Sequence, residues 1–353
     1  MDSTILASLE GYKAKTIDYK STPDGEIKLD ILYPADVSGT SVVSRKRTVL
    51  LHYHGGFLVL GDRYAFFPTW LAKAGASRGW IFVTPDYRLM PESTAQASVA
   101  DARDAYAWIL SHLGQELDCQ IAAVLMAGSS AGGYLALTTA VEAEVRPTAL
   151  LLIYGMLDPT SDRYTTPGTN IMGKPPFDTS EVLAKYPMHE EGDTRKAISG
   201  YPMGPNPADD SRGELVDALH VDALFLDYMT GVKGLGRLVA EVGLRGIPAE
   251  HRNLFPLAFA NLSKLPQTFL LHGRNDSFVD VNNSLEADDK LRYAGVPRDL
   301  EAPSDAEHGF DGKAGTIDIE STEGEKVLGY KSLRRALAFL DDCVFHGSGK
   351  LGI

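Results

Sequence analysis

Gly128-Ser129-Ser130-Ala131-Gly132 lies between an apolar run of strand character, Ile121–Ala127, and a helix-period segment, Ala131–Glu144. The form G-x-S-x-G on a strand–turn–helix is a nucleophile elbow. Small flanking residues let the serine occupy a strained turn and present its hydroxyl. A glycine-rich turn without chemistry can carry the same string, so the surrounding chain has to decide between the two. Ser129 stands one place early for the turn, and Ser130 is the expected nucleophile.

Outward from the elbow, short β-rich runs alternate with amphipathic stretches. Lys15–Lys20 and Glu26–Tyr33 form an opening pair across the turn residues Thr22-Pro23-Asp24-Gly25. Thr48–His54, Trp80–Thr84, Ile121–Ala127, Leu150–Tyr154, Thr268–His272 and Arg298–Ala302 follow. Several are nearly continuous apolar runs, as suits strands buried on both faces. Helical periodicity marks Pro68–Arg78, Thr94–Leu113, Ala131–Glu144, Asn282–Tyr293 and Gly324–Phe345. This alternation predicts an α/β chain with a mostly parallel eight-stranded sheet flanked by helices. Residues 155–262 interrupt it: they contain no convincing strand, and prolines punctuate their first half. Ser211-Arg212-Gly213-Glu214 has capping-box form and opens a helix there. The sheet domain is therefore expected over 1–154 and 263–353, with 155–262 inserted after the sixth strand.

The chain has 353 residues, 44% hydrophobic and 23% charged, which is enough to build a sizeable core and excludes wholesale disorder. A net charge of −13 opposes binding to nucleic acid or to an anionic membrane surface, both of which require basic patches. Cys119 and Cys343 make no disulfide framework and lack the spacing of a zinc site, so they read as thiols of a reducing compartment. No apolar stretch reaches the length of a membrane span, and the N-terminus lacks the pattern of a signal peptide. The expected setting is cytoplasmic.

A serine nucleophile requires a general base, an acid to orient that base, and donors for the developing oxyanion. On a sheet of this kind the chain order is Ser, then Asp or Glu, then His. His308, after the last expected strand, fits the base, whereas His346 ends an amphipathic helix. Asp276, in Gly273-Arg274-Asn275-Asp276, follows the preceding strand and fits the acid. Asp280 is its neighbour and rival, with the alternative reading of a helix cap. His54-Gly55-Gly56-Phe57 follows an early strand, and its glycines free the backbone N–H groups to turn towards a substrate oxygen. With the N–H of Ala131, Gly55 and Gly56 would complete an oxyanion hole. His52 and His54 have the spacing of a zinc pair, but no further His/Asp cluster supports a metal, and no cofactor is expected.

These motifs together resemble the hormone-sensitive-lipase-like branch of the α/β-hydrolases, the HGGG-type carboxylesterases. The resemblance runs in order through His54-Gly55-Gly56-Phe57, Asp86-Tyr87-Arg88-Leu89-Met90-Pro91-Glu92, the elbow, Asn275-Asp276-Ser277-Phe278-Val279-Asp280 and His308-Gly309-Phe310. It implies Ser130 as nucleophile, Asp276 as acid, His308 as base, and Gly55, Gly56 and Ala131 as oxyanion donors. Asp86 and Glu92 correspond to residues that brace the site. It also implies that 155–262 forms a cap over the nucleophile, joined by the N-terminal residues 1–14. Three departures stand out, the first being that residues 155–262 match that family poorly, so substrate identity does not carry over. Phe57 replaces the third glycine and narrows the acyl pocket, and Ser129 replaces a residue that is usually acidic in that family.

The reading that follows is a serine hydrolase cleaving the carboxylic ester of a hydrophobic or aromatic small molecule through an acyl-serine. Apolar residues in the insertion, among them Met156, Tyr164, Met172, Phe225 and Met229, favour such a ligand. The alternative is a dedicated biosynthetic enzyme on the same scaffold, performing C–C hydrolysis, cyclisation or elimination. A non-catalytic small-molecule binder is the third class, disfavoured because all three triad positions are filled. The sequence is compatible with a homodimer.

Overall fold

The computed structural model describes residues 3–38, 46–168, 171, 173–203 and 210–347. Eight strands form one sheet: β1 (Tyr12–Thr22), β2 (Gly25–Pro34), β3 (Lys46–Tyr53), β4 (Ile81–Pro85), β5 (Gln120–Ser129), β6 (Ala149–Ile153), β7 (Thr268–Leu271) and β8 (Arg298–Glu301). Their order is β1-β2-β4-β3-β5-β6-β7-β8. The first two strands are antiparallel to each other and β2 to β4, while the remaining pairings are parallel. This is the mostly parallel eight-stranded sheet that the alternating pattern predicts, in the form that the resemblance implies.

The period-2 geometry of the strands sorts their side chains between two cores. Val49 and Leu51 of β3, Val124 and Met126 of β5, and Leu150 and Leu152 of β6 face one side. The helices Ala95–Trp108, Ala131–Glu142 and Asn282–Tyr293 cover that side, together with the apolar residues of the insertion. Leu50, Leu125 and Leu151 face the other side and meet the helices Thr69–Ser77 and Tyr330–Gly347. Every strand in the centre is thus covered twice, which explains its unbroken apolar run.

Two boundaries differ from the periodicity. The last helix begins at Tyr330 rather than near Gly324, because Gly329 takes φ +74° and breaks the turn. Residues Glu323–Lys326 form a separate 3-10 turn. At the insertion helix Ser211–Val221 the cap is Asp210, whose side chain accepts from the Arg212 amide, rather than Ser211. Among the described residues of the N-terminal segment, Leu9 and Tyr12 pack against the sheet flank. Leu9 joins Trp70 and Trp80 in the second core, and the Tyr12 hydroxyl donates to the Trp80 carbonyl at 2.8 Å. An apolar leucine and a donor near the start of β1 are both satisfied there.

The insertion leaves the sheet after Ile153 and returns at Thr268, so its two ends abut on neighbouring strands, with Leu152 opposite Leu270. Among its described residues are short helices, including Ser211–Val221, Phe225–Thr230 and Leu235–Val242, and one isolated bridge from Tyr201 to Gly61. Met172 lies outside the described residues.

Candidate active site

All the expected chemistry collects at the carboxyl edge of the parallel strands, where ligands sit in open α/β sheets. Ser130 separates β5 from the helix Ala131–Glu142 and takes φ 57°, ψ −122°. That conformation costs on the order of 1–3 kcal/mol for a residue bearing a Cβ. Its surroundings over-determine it. The Ser130 amide donates to the Ile153 carbonyl at 2.9 Å, and its carbonyl accepts from Gly133 at 2.9 Å and Met156 at 3.0 Å. The glycines of the motif are sterically required. A Cβ on Gly128 would stand 2.0 Å from the Gly132 carbonyl oxygen, and one on Gly132 would stand 2.0 Å from that of Tyr53.

The loop after β7 carries Asp276 and the loop after β8 carries His308. The His308 Nδ1 and Asp276 Oδ2 are 2.6 Å apart, so Nδ1–H donates to the carboxylate and Nε2 is left for a second partner. Asp276 Oδ1 accepts from the amides of Phe278 and Val279, both at 2.9 Å. Burial opposes its charge, yet hydrogen bonds from His272 and His308 hold the carboxyl well below the usual carboxylate range. Asp280 is spent elsewhere: its side chain accepts from the Asn282 amide at the start of the next helix.

Gly55 lies directly against the nucleophile, since a Cβ there would stand 3.1 Å from Ser130 Cβ and 3.7 Å from its Oγ. Gly56 takes φ +110°, and a Cβ on it would meet the Leu60 carbonyl oxygen at 2.0 Å. Ala131 opens its helix, where first-turn amides lack intrahelical partners. The His54 ring stacks on Tyr87 at 4.2 Å, and the Tyr87 hydroxyl donates to the His54 carbonyl at 2.9 Å, which fixes the strand end leading into this loop.

Asp86 accepts from the Arg63 backbone amide at 2.8 Å and pairs with its guanidinium, whose Nε reaches buried Asp30 at 3.0 Å. This pins the far end of the glycine loop. Glu92 pairs with Arg212 of the insertion, whose guanidinium also donates to the carbonyls of Val59 at 2.7 Å and Met90 at 2.9 Å. His52 and His54 do not converge on one point: His52 Nε2 meets Ser129 Oγ at 3.0 Å and His54 Nδ1 meets the Gly55 carbonyl at 2.8 Å. Among the described residues no group of three His, Cys, Asp or Glu side chains is arranged to hold a metal ion.

The structure adds residues that pattern reading missed. His272, at the end of β7, places Nε2 3.2 Å from Asp276 Oδ2, and its Nδ1 lies 2.8 Å from Ser284 Oγ. Phe278 stacks on the His308 ring at 5.0 Å and Tyr154 meets it at 4.5 Å. An aromatic group of Phe57, Tyr164, His220 and Phe225 joins the glycine loop to the insertion, with Phe57 edge-on to His220 at 5.2 Å. Phe57 itself takes φ 54°, as the position after two glycines in this turn requires.

With this geometry in place, the chain is an α/β-hydrolase-fold protein: a family profile described as "alpha/beta hydrolase fold" matches residues 50–186. The solved structure of a bacterial heroin esterase superposes with a TM-score of 0.61 at 21% identity, covering 98% of this chain and 87% of that one. "Probable carboxylesterase M8" of Phoma sp. is 25% identical over 311 residues, spanning 83% of this chain and 88% of that protein. "Non-reducing polyketide synthase Preu3" of Preussia isomera is 30% identical over 329 residues, 84% of this chain but 12% of the synthase. The chain thus spans only about an eighth of the polyketide synthases it matches. Among the described residues no helix is long and apolar enough to cross a membrane.

Proposed function

We propose that the protein is a serine carboxylic ester hydrolase acting on a hydrophobic or aromatic small molecule. The observation that carries this reading is the His308–Asp276 pair at 2.6 Å on the same sheet edge as the strained Ser130 elbow and Gly55. Ser130 Oγ forms a bond to the carbonyl carbon while His308 Nε2 takes its proton. The amides of Gly55, Gly56 and Ala131 receive the negative oxygen. As the tetrahedral species collapses, the bond to the leaving oxygen breaks, and that oxygen takes the proton from His308. Water then adds to the acyl-serine, giving its proton to His308, and the acid departs as Ser130 recovers its hydrogen. Asp276 stays ionised throughout and keeps Nδ1–H oriented. Asp86 and Glu92 brace the glycine loop through Arg63 and Arg212, and residues 155–262 act as a cap that shapes the acyl pocket with Phe57, Tyr164 and Phe225.

The polyketide-synthase relatives favour a second reading of the substrate. A synthase that grows an acyl chain as a thioester needs a step that cleaves it, and an acyl-serine serves thioesters as well as esters. On this reading the acyl group is a polyketide and the protein works in a biosynthetic sequence.

Both readings require Ser130. In a fluorophosphonate experiment the wild-type chain is expected to be labelled on the peptide carrying Ser130, and Ser130→Ala is expected to lose labelling and turnover. Labelling elsewhere, or retained turnover, would falsify the serine mechanism. Short p-nitrophenyl esters against N-acetylcysteamine thioesters of β-keto acids then separate the two substrates by kcat/KM.

A further inference from the structure

Ser129, beside the nucleophile, brings no charge, and the polar groups beneath it run to a buried acid. His52 Nε2 meets Ser129 Oγ at 3.0 Å, and the Ser129 hydroxyl interacts in turn with the phenol of Tyr154. The Tyr154 hydroxyl donates to Asp311 Oδ1 at 2.6 Å, and Trp70 Nε1 donates to Asp311 Oδ2 at 2.8 Å. Asp311 is 2% exposed and follows His308 by three residues. The line therefore passes under Ser130 and ends on the loop that carries the base.

Its middle member touches that base. The Tyr154 ring lies 4.5 Å from the His308 ring at 55°, while Phe278 stacks on the imidazole at 5.0 Å and 20°. The imidazole is thus gripped between two rings, with Asp276 at Nδ1. Phe278 is held by its own amide on Asp276. The Tyr154 backbone, at φ 36°, is tied by its amide to the Leu271 carbonyl at 2.6 Å, and the ring that spans from β6 to the 308–311 loop is held at its far end through the hydroxyl. Asp311 supplies that hold.

We propose that Tyr154, anchored by Asp311, is a positioning residue that sets the plane of His308. Asp311 is the second acid of the site, acting through the phenol. This rests on the reading of His308 as the base, and it assigns roles to two residues that reading does not need.

The test is fluorophosphonate inactivation of the full chain, which requires no knowledge of the natural substrate. Tyr154→Phe keeps the ring and removes the Asp311 bond, and Asp311→Asn removes the charge while leaving an acceptor for Trp70. In each variant the limiting rate of labelling, kinact, is expected to fall about 10- to 100-fold, the scale of a misoriented catalytic group. KI is expected to stay within about 2-fold, since inhibitor binding does not use the base. The double variant is expected to be no slower than the worse single, because both changes break one link. Labelled sites are counted at completion, so a partly unfolded preparation still yields a rate per competent site. Unchanged kinact in Tyr154→Phe, with wild type labelled on Ser130, overturns the inference alone. A wild-type chain that is not labelled on Ser130 overturns the hydrolase reading and this inference with it.

Discussion

Gly132 has no space for even a methyl group, since the Tyr53 carbonyl oxygen occupies the position where a Cβ would sit, 2.0 Å away. The helix Ala131–Glu142 presses this close to β3 so that Ser130 can face the loop carrying Gly55. Gly132→Ala is expected to cost about 3 kcal/mol or more, the upper range for overpacking a tight core, and to lower the urea midpoint accordingly. An alanine variant with an unchanged midpoint would mean the elbow can relax. Ser130, Asp276 and His308, the triad of the proposed function, were legible because they lie in the expected order just after β5, β7 and β8. Tyr154 and Asp311 were not legible. A tyrosine closing an apolar strand reads as core, and its partner lies 157 positions further on, a separation that only the folded sheet brings together.

The elements around the glycine loop are joined by Arg212. From the helix Ser211–Val221 its side chain, with the residue 4% exposed, reaches the carbonyls of Val59 and Met90 and pairs with Glu92 while Tyr201 packs on its guanidinium at 4.9 Å. Tyr201 also donates its amide to the Gly61 carbonyl at 2.8 Å, tying the same strip of insertion to the loop's other end. Arg212→Met would leave the half-buried Glu92 without its cation and the Val59 and Met90 carbonyls without their donor, and should destabilise the chain by about 3 kcal/mol. Arg212→Met with Glu92→Gln should recover much of that loss in urea melts. A double variant no better than the single would show that the carbonyl contacts dominate. The strands and the helix Asn282–Tyr293 were readable from period and turn residues. The start of the last helix was not, because a 3-10 turn precedes it and the left-handed Gly329 marks the break between them. The joining of insertion to loop was equally hidden, for it depends on one arginine meeting carbonyls more than a hundred residues away.

Across the whole molecule, three histidines are held neutral inside. Burial pushes His52 down to about 3 and His54 and His220 down to about 4. An unfolded chain titrates histidine near 6.5, so between that pH and about 4 it binds more protons than the folded one. Stability therefore falls as the pH falls, by about 1.4 kcal/mol per unit for each such histidine. Asp86, pushed up to about 6 because burial outweighs Arg63, takes up a proton in the folded state and offsets one of them. The net expectation is a loss of about 3 kcal/mol per unit at its steepest, read as a falling urea midpoint between pH 7 and pH 5. A midpoint that stays level across that window would show that these histidines become solvated and charged without unfolding. The place where the insertion joins the sheet has a consequence for descent. Because its two ends are moored on adjacent strands, the intervening chain can lengthen, shorten or be exchanged without moving the neighbouring strand ends that bear Ser130, Asp276 and His308. On the proposed reading, ligand preference and bond-breaking machinery are thus separately heritable, and lineages can diverge in the first while keeping the second.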